Sequence, residues 1–382
     1  MLGNMPLSRL AGHFAALALL SCSIVATGQE LVLGQVVPLT GTIAETGNEY
    51  VAGAAAYFAH VNEKGGVHGR KIRVVVRDDG YKPDQTLKLT QELIEHDNPI
   101  ALFGFVGTGN VAALNKADVL GKANIALLAP YTGASDLREP MVPQLFHIRA
   151  GYADETAKMV EHLSTIGMKR IAVFYQNDPF GTSGLAGAVT AMKLAGLTPV
   201  ATGNYDRTKP EEVDQAVKAI GAANPDAVIT VSVNRATAAF IKKMRAAGRD
   251  AQIFSISVVN FKELIKNTGE NLTRGIGIAQ VMPFPYAGSV PVVREYHTLM
   301  QKYAPDKVIS YASMESFIAA KVMVEALRRA GPKPTREKVL RSLEGLHDYD
   351  TGGFTVSFSP QTRVGSKFVE VTVIGAGNKL FR

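Results

Sequence analysis

A chain of 382 residues with 46% hydrophobic and 20% charged residues is long enough for two domains and too apolar to be disordered. Trp is absent and aromatics reach only 7%, which argues against a Trp-lined sugar cleft or an aromatic nucleic-acid platform. The formal charge of +7 is spread without a block of like charges, so it fits anionic small ligands or plain solubility rather than DNA, and the single cysteine, Cys22, excludes an internal disulfide, a cysteine zinc site and a thiol redox pair.

The first segment, residues 1–28, reads as an export signal. Arg9 supplies a basic start, residues 14–20 an apolar stretch, and Ala26-Thr27-Gly28 small residues before Gln29. The apolar stretch is shorter than the ~20 residues a membrane span needs. Leu19-Leu20-Ser21-Cys22 also resembles a bacterial lipobox, in which the cysteine is lipidated and becomes the first residue. The alternative is cleavage after Gly28, and the single basic residue ahead of the apolar stretch speaks for it. Either way the mature chain is expected to be exported and to carry +6, since Arg9 is the only charge removed.

From Glu30 onward, strand and helix periods alternate. Residues 31–37 form an apolar strand, and Val51, Ala54, Ala55, Phe58 and Val61 mark one face of a helix that Gly65-Gly66 ends. A strand over 71–77, a helix opened by Pro83-Asp84, and strands over 100–105 and 125–129 continue the series. The pattern restarts with a helix over 153–166, a strand over 170–175, a helix through Leu185, Val189 and Met192, and a strand near 198–204. Thr208-Lys209-Pro210-Glu211 predicts the opening of the next helix. Strands over 227–233 and 252–258 flank a helix ending at Ala247; helices near 290–303, 312–330 and 335–344 and strands near 353–358 and 367–374 close the chain. Short strands that are apolar throughout suit parallel sheets covered by helices on both faces. The expected fold is therefore α/β, with two lobes and a returning tail.

Ligands of open parallel sheets bind beyond the carboxyl ends of the strands. In the first half those ends carry Pro38-Leu39-Thr40-Gly41-Thr42 leading to Glu45-Thr46-Gly47, then 104–110 with Gly107, Thr108 and Gly109, then 129–135 with Thr132 and Gly133. In the second half they carry 176–181 with Asp178 and Phe180, then 232–235 with Asn234, then 255–260 with Ser257. Any one loop of this composition is explained by turn and cap chemistry. Hydroxyls, amides and glycines at three loops of each half point to a cleft, and helix amino ends there suit a carboxylate or phosphate.

Several other patterns carry less. Gly107-Thr108-Gly109-Asn110-Val111-Ala112 matches a dinucleotide fingerprint, but it follows the third strand rather than the first, and the next strand ends without an acid for a ribose. An NAD-dependent enzyme is thereby disfavoured. The eight histidines are scattered, His147 reads as structural, and neither HExxH, GxSxG nor a Walker loop occurs. Asp78-Asp79 could suggest a metal, but paired acids at a strand end more often cap loops. No enzyme activity, cofactor or metal is expected.

The chain resembles the leucine/isoleucine/valine-binding type of periplasmic solute-binding protein, the exported receptor of an ABC importer. The likeness runs from about Leu31 to Phe381 and rests on Gly34-Gln35-Val36-Val37-Pro38-Leu39-Thr40-Gly41, on Gly53 with Asn62-Glu63-Lys64-Gly65-Gly66-Val67-His68-Gly69-Arg70, on Arg77-Asp78-Asp79-Gly80-Tyr81-Lys82-Pro83, and on the strand from Tyr175 towards Gly181. The resemblance implies a type I fold: two Rossmann-like lobes joined by three hinge crossovers near Arg149-Ala150, Val281-Met282 and residues 355–357. Lobe one would be 29–149 plus 282–355, and lobe two 150–281 plus 356–382. It implies a carboxylate clamp at Thr108 and at Thr132 with Gly133, with backbone N–H groups of Gly109 and Gly133 adding donors. Phe180 would be a lid residue, Thr46 replaces a residue that is often aromatic, and Asn234 and Ser257 would close over the ligand body. Ser257 falls where amino-acid binders place an acid for the ligand's ammonium, so that half of the pocket looks missing; Asp178 or Glu45 could substitute.

The expected function is thus a monomeric periplasmic receptor for a small anionic or zwitterionic organic ligand. Its partners would be membrane permease subunits rather than nucleic acid. The alternative is a ligand sensor or amide-type regulator on the same fold, which an export signal and the lack of a fused membrane domain disfavour.

Overall fold

A computed structural model describes residues 29–382, so the export signal and Cys22 lie outside the described residues. β1 (Leu31–Val37), β2 (Ile72–Asp78), β3 (Ala101–Phe103), β4 (Leu127–Leu128) and β5 (Leu145–Phe146) form a parallel sheet in the order β2-β1-β3-β4-β5. β6 (Ile171–Gln176), β7 (Thr202–Tyr205), β8 (Ala227–Val231), β9 (Gln252–Ser255) and β10 (Gly277–Gln280) form the parallel part of a second sheet. A small ladder of β11 (Tyr349–Asp350) and β12 (Thr355–Val356) follows. The chain then returns as β13 (Glu370–Ile374) and β14 (Leu380–Phe381), both antiparallel at one edge of the second sheet. The fold is α/β with parallel sheets, as expected, but the tail adds an antiparallel edge.

Helices cover the sheets because their apolar stripes need a partner. The three late helices, Pro291–Tyr303, Tyr311–Ala330 and Arg336–Glu344, return to the first sheet, where Tyr311–Ala330 lies along Ala44–Glu63. That approach needs Gly53, since a Cβ there would sit 1.9 Å from the Ser313 carbonyl oxygen.

Two expectations are corrected. The helix after β7 begins at Asp214, not at Thr208, because Asp206 accepts both the Thr208 N–H and its hydroxyl at 2.7 Å, closing a turn first. The third passage between the sheets lies beyond residues 355–357. Val356 and Phe358 are fully buried in the core around the first sheet, Phe146 meets Phe358 edge-on at 5.2 Å, and the Gly365 N–H donates to the His147 carbonyl at 2.7 Å. The chain therefore crosses between Gly365 and Glu370. Polarity alone does not say which of two cores takes a pair of apolar side chains.

Candidate functional site

Each sheet has one place where consecutive connections turn in opposite directions. In the first sheet β1 pairs with both β2 and β3; in the second, β6 pairs with both β7 and β8. Loops leaving such neighbours diverge and leave a crevice at their carboxyl ends. The two crevices face each other across a cleft with about 450 Å³ of empty space, lined by Thr42, Thr46, Gly107, Thr108, Tyr131, Tyr152, Phe180 and Asn234 among others. A wider hollow beside Glu30, Arg70 and Arg336 lies at the amino ends of the first-sheet strands, on the side away from the carboxyl-end loops.

One end of the cleft is a pair of hydroxyls. Thr108 begins the helix Thr108–Lys116, and its Oγ1 lies 2.6 Å from that of Thr132, both side chains being buried. Gly107, at φ 109°, makes the turn; a Cβ there would crowd Asn110 at 2.7 Å and Tyr81 at 2.8 Å. Tyr152 stands beside Thr108 and meets the Phe180 ring edge-on at 5.4 Å, and burial pushes its phenol up so that it stays a neutral donor. This end thus presents hydroxyl donors and a helix amino terminus, and the one charged side chain in the cleft lining, Glu45, lies at the exposed mouth.

Asp178 does not reach into the cleft. Its Oδ1 accepts from the Phe180 and Gly181 N–H groups at 3.0 and 3.2 Å, capping the helix Pro179–Leu194, while Oδ2 pairs with Arg207 at 3.0 Å. Arg207 then crosses to the first half: its guanidinium lies 3.9 Å from the Tyr81 ring centre and donates to the Tyr81 carbonyl at 2.7 Å. Asp78 and Asp79 tie loops together as their position suggested. Asp78 accepts from Leu39, Thr40 and Gly80, and Asp79 from Tyr81, Thr86 and Asn110.

Behind Tyr131, which lines the cleft, lies a charged cluster that the sequence did not reveal. Arg149, fully buried on the first passage between the sheets, lies 3.5 Å from Glu155 and 3.5 Å from Glu315, and its guanidinium covers the Tyr131 ring at 4.5 Å. Glu155 belongs to the helix Tyr152–Thr165 on the second half and Glu315 to Tyr311–Ala330 on the first. Burial opposes the charge of Arg149. Glu315 foremost, with Tyr131 and Glu155, more than offsets it and holds the guanidinium above its ordinary range. Two carboxylates share one guanidinium, so burial pushes Glu315 up to about 7 and also raises Glu155.

Ser257 sits inside this cluster. Its N–H and hydroxyl donate to Glu155 at 2.7 and 3.0 Å, and its oxygen accepts from Arg149. The carboxylate missing from position 257 is therefore supplied from another helix, already matched by an arginine. No local signal marks Glu155; it lies one hundred residues upstream and is joined only by the fold.

Of the residues singled out from sequence, Thr46, Thr108, Phe180 and Asn234 line the cleft, and Thr132 stands directly behind Thr108. Ser257 lines a small adjoining hollow that shares Thr46, Tyr131 and Val258 with the cleft. Gly109 and Gly133 do not line it. A Cβ on Gly109 would meet Arg207 at 3.0 Å and one on Gly133 would meet Tyr152 at 2.6 Å, so these glycines admit neighbours of the site. Glu45 is exposed at the mouth. Tyr81, Tyr131, Tyr152, Arg149 and Arg207 were missed, because scattered tyrosines and arginines between strands look like ordinary core and surface residues.

Residues 30–378 match the family described as periplasmic binding protein. An amino acid binding protein of Pseudomonas aeruginosa is 26% identical over 76% of this chain and 78% of its own, and a Leu/Ile/Val-binding protein homolog of Brucella abortus is 23% identical over 83% and 82%. Among solved structures, a substrate-binding periplasmic protein from Ralstonia solanacearum is 39% identical, with a TM-score of 0.88 over 92% of this chain and 99% of its own. A branched chain amino acid ABC transporter protein from Thermus thermophilus with bound valine shares the fold at 19% identity, with a TM-score of 0.82 over 93% and 95%.

Proposed function

We propose that this chain, which belongs to the periplasmic binding protein family, is the extracytoplasmic receptor of an ABC-type importer and captures a small carboxylate-bearing ligand by closure of two lobes. The observation that carries this reading is the Thr108–Thr132 hydroxyl pair at a helix amino end, set in a cleft between two sheets. A carboxylate removed from water needs several donors, and this end offers them, with the nearest lining acid, Glu45, left in solvent at the mouth. The names of the relatives support an amino-acid-like ligand.

The first lobe would comprise residues 29–149 with the returning helices, and the second residues 150–281 with the tail. Closure would be held by contacts that already cross the cleft. The Tyr131 hydroxyl donates to the Ser257 carbonyl at 3.4 Å, the Ser135 N–H to the Ser183 hydroxyl at 3.1 Å, and Arg207 to Tyr81. The hinges would be the passages at Arg149, Val281 and residues 366–369, each a few residues of chain between rigid sheets. Permease subunits would dock on the closed form.

A thermal-shift screen over branched-chain amino acids, aromatic acids and dicarboxylates tests the reading. At least one class should raise the melting temperature in proportion to the logarithm of its concentration. Small-angle scattering should then show a smaller radius with that ligand at saturation; an unchanged radius would remove closure from the mechanism.

A further inference from the structure

The hollow beside the cleft is walled by both halves of the molecule: Thr46, Glu49 and Ala312 from the first, Ser257, Asn260 and Phe261 from the second, with Tyr131, Tyr286 and Tyr311 completing it. Glu49 is the acidic side chain in this wall, three residues along the helix from Thr46, so it stands one helical turn from a residue that lines both spaces. Its Oε1 accepts from Asn260 Nδ2 of the opposite half at 2.9 Å. No salt bridge reaches Glu49 among the described residues. The nearest ammonium, Lys262, instead lies 4.8 Å over the Tyr286 ring and donates to the Ile309 carbonyl at 3.4 Å. The groups facing Glu49 are Ser310 and Asn260, which donate to it, Glu263, which repels it, and Lys262, which attracts it from a distance. Burial outweighs them and pushes its carboxyl up to about 7.

This wall combines a carboxylate lacking a close counter-charge with three tyrosine rings. Lys262 already covers one face of Tyr286 and Arg149 one face of Tyr131; Tyr286 and Tyr311 stand edge-on at 6.0 Å, and the remaining ring faces and a carboxylate together favour a cation. We infer that Glu49, with Tyr286 and Tyr311, is the subsite for the amino group of the ligand, in place of the acid that position 257 lacks. The inference rests on the receptor reading above, with the ligand's carboxylate at Thr108 and Thr132 and its amine reaching past Thr46 to Glu49. An arriving ammonium restores the ionised form of Glu49, so binding near neutral pH expels a proton from that carboxyl.

The experiment compares matched probes by calorimetry at pH 7: leucine against 4-methylpentanoate, valine against 3-methylbutanoate, and 6-aminohexanoate against hexanoate. In the native chain the amine-bearing member of at least one pair should bind tenfold or more tightly than its partner. That binding should also release protons, read as a dependence of the heat on the buffer's ionisation enthalpy. Glu49→Gln, nearly isosteric and able to keep the Asn260 contact, should bring the ratio within that pair to about one and abolish the proton release. Asn260→Ala should leave the native preference for the amine in place while weakening both members.

Carboxylates that bind with no preference for the amine, or a preference that survives Glu49→Gln, would overturn the subsite while leaving the receptor reading intact. Failure of every probe, amine-bearing or not, would overturn the subsite, and the receptor reading would then stand or fall with the aromatic acids and dicarboxylates of the wider screen.

Discussion

The two ends of the cleft are built on opposite principles. At the Thr108 end the protein supplies neutral donors: two hydroxyls 2.6 Å apart and a helix amino terminus. At the Arg149 end it supplies full charges, but Arg149, Glu155, Glu315 and Ser257 already answer one another. Buried charges are so costly to leave unmatched that a fold closes them on itself. A pair of hydroxyls can bond to each other when empty and turn to a guest when one arrives. The charged cluster therefore ties the two halves together, and the proposed carboxylate site falls at the neutral end.

The largest expected effect separates these roles. Arg149→Met leaves two buried carboxylates facing each other and should destabilise by about 3–5 kcal/mol, lowering the melting temperature by on the order of 10 °C. If its stability matched the native protein, the cluster would not be structural. Thr108→Val should do the reverse, weakening the best carboxylate ligand by ~10–100-fold, as expected for losing one hydrogen bond to a charged group. Its melting temperature without ligand should stay within a few degrees, and equal affinity would move the clamp elsewhere.

The same contrast has a pH signature. Glu315 titrates at about 7 in the folded chain against 4.5 in the unfolded one. Between those values the native protein holds a proton that the unfolded chain has lost, so stability should decline as pH rises from about 4.5 to 7 and level off above. Denaturant midpoints of Glu315→Gln should show a shallower decline than native over that window. Glu49 adds to the same slope and would persist in the variant. The smallest effect is at the Arg207 clasp. Arg207→Lys keeps a cation beside Asp178 but loses the planar stacking on Tyr81 and should cost about 1 kcal/mol, appearing mainly as several-fold faster ligand release.

The alternation of elements was legible because a parallel sheet buried on both faces writes itself as short apolar runs between helical periods. The order of loops made the cleft readable for the same reason: carboxyl ends of parallel strands all point one way, so counting strands finds the loops that hold Thr46, Thr108, Phe180 and Asn234, while the family resemblance singles out Thr46, Thr108 and Phe180 within them. The Thr208 signal misled because its cap chemistry serves a turn as well as a helix, and Asp206 claimed the hydroxyl.

What tertiary structure alone decided is how charges pair. The sequence showed a serine at 257 and from it an absent acid; the fold brings Glu155 to that serine, Arg149 between Glu155 and Glu315, and Glu49 against Asn260. It also decided that Val356 and Phe358 join the first core rather than the second, moving the last passage to residues 366–369. Local periodicity indicates what each segment becomes, because the spacing of apolar side chains over a few residues sets which face a helix or strand can bury. Partners as far apart as Ser257 and Glu155 or Glu49 and Asn260 leave no mark in either segment, because their attraction exists only once the two halves have packed.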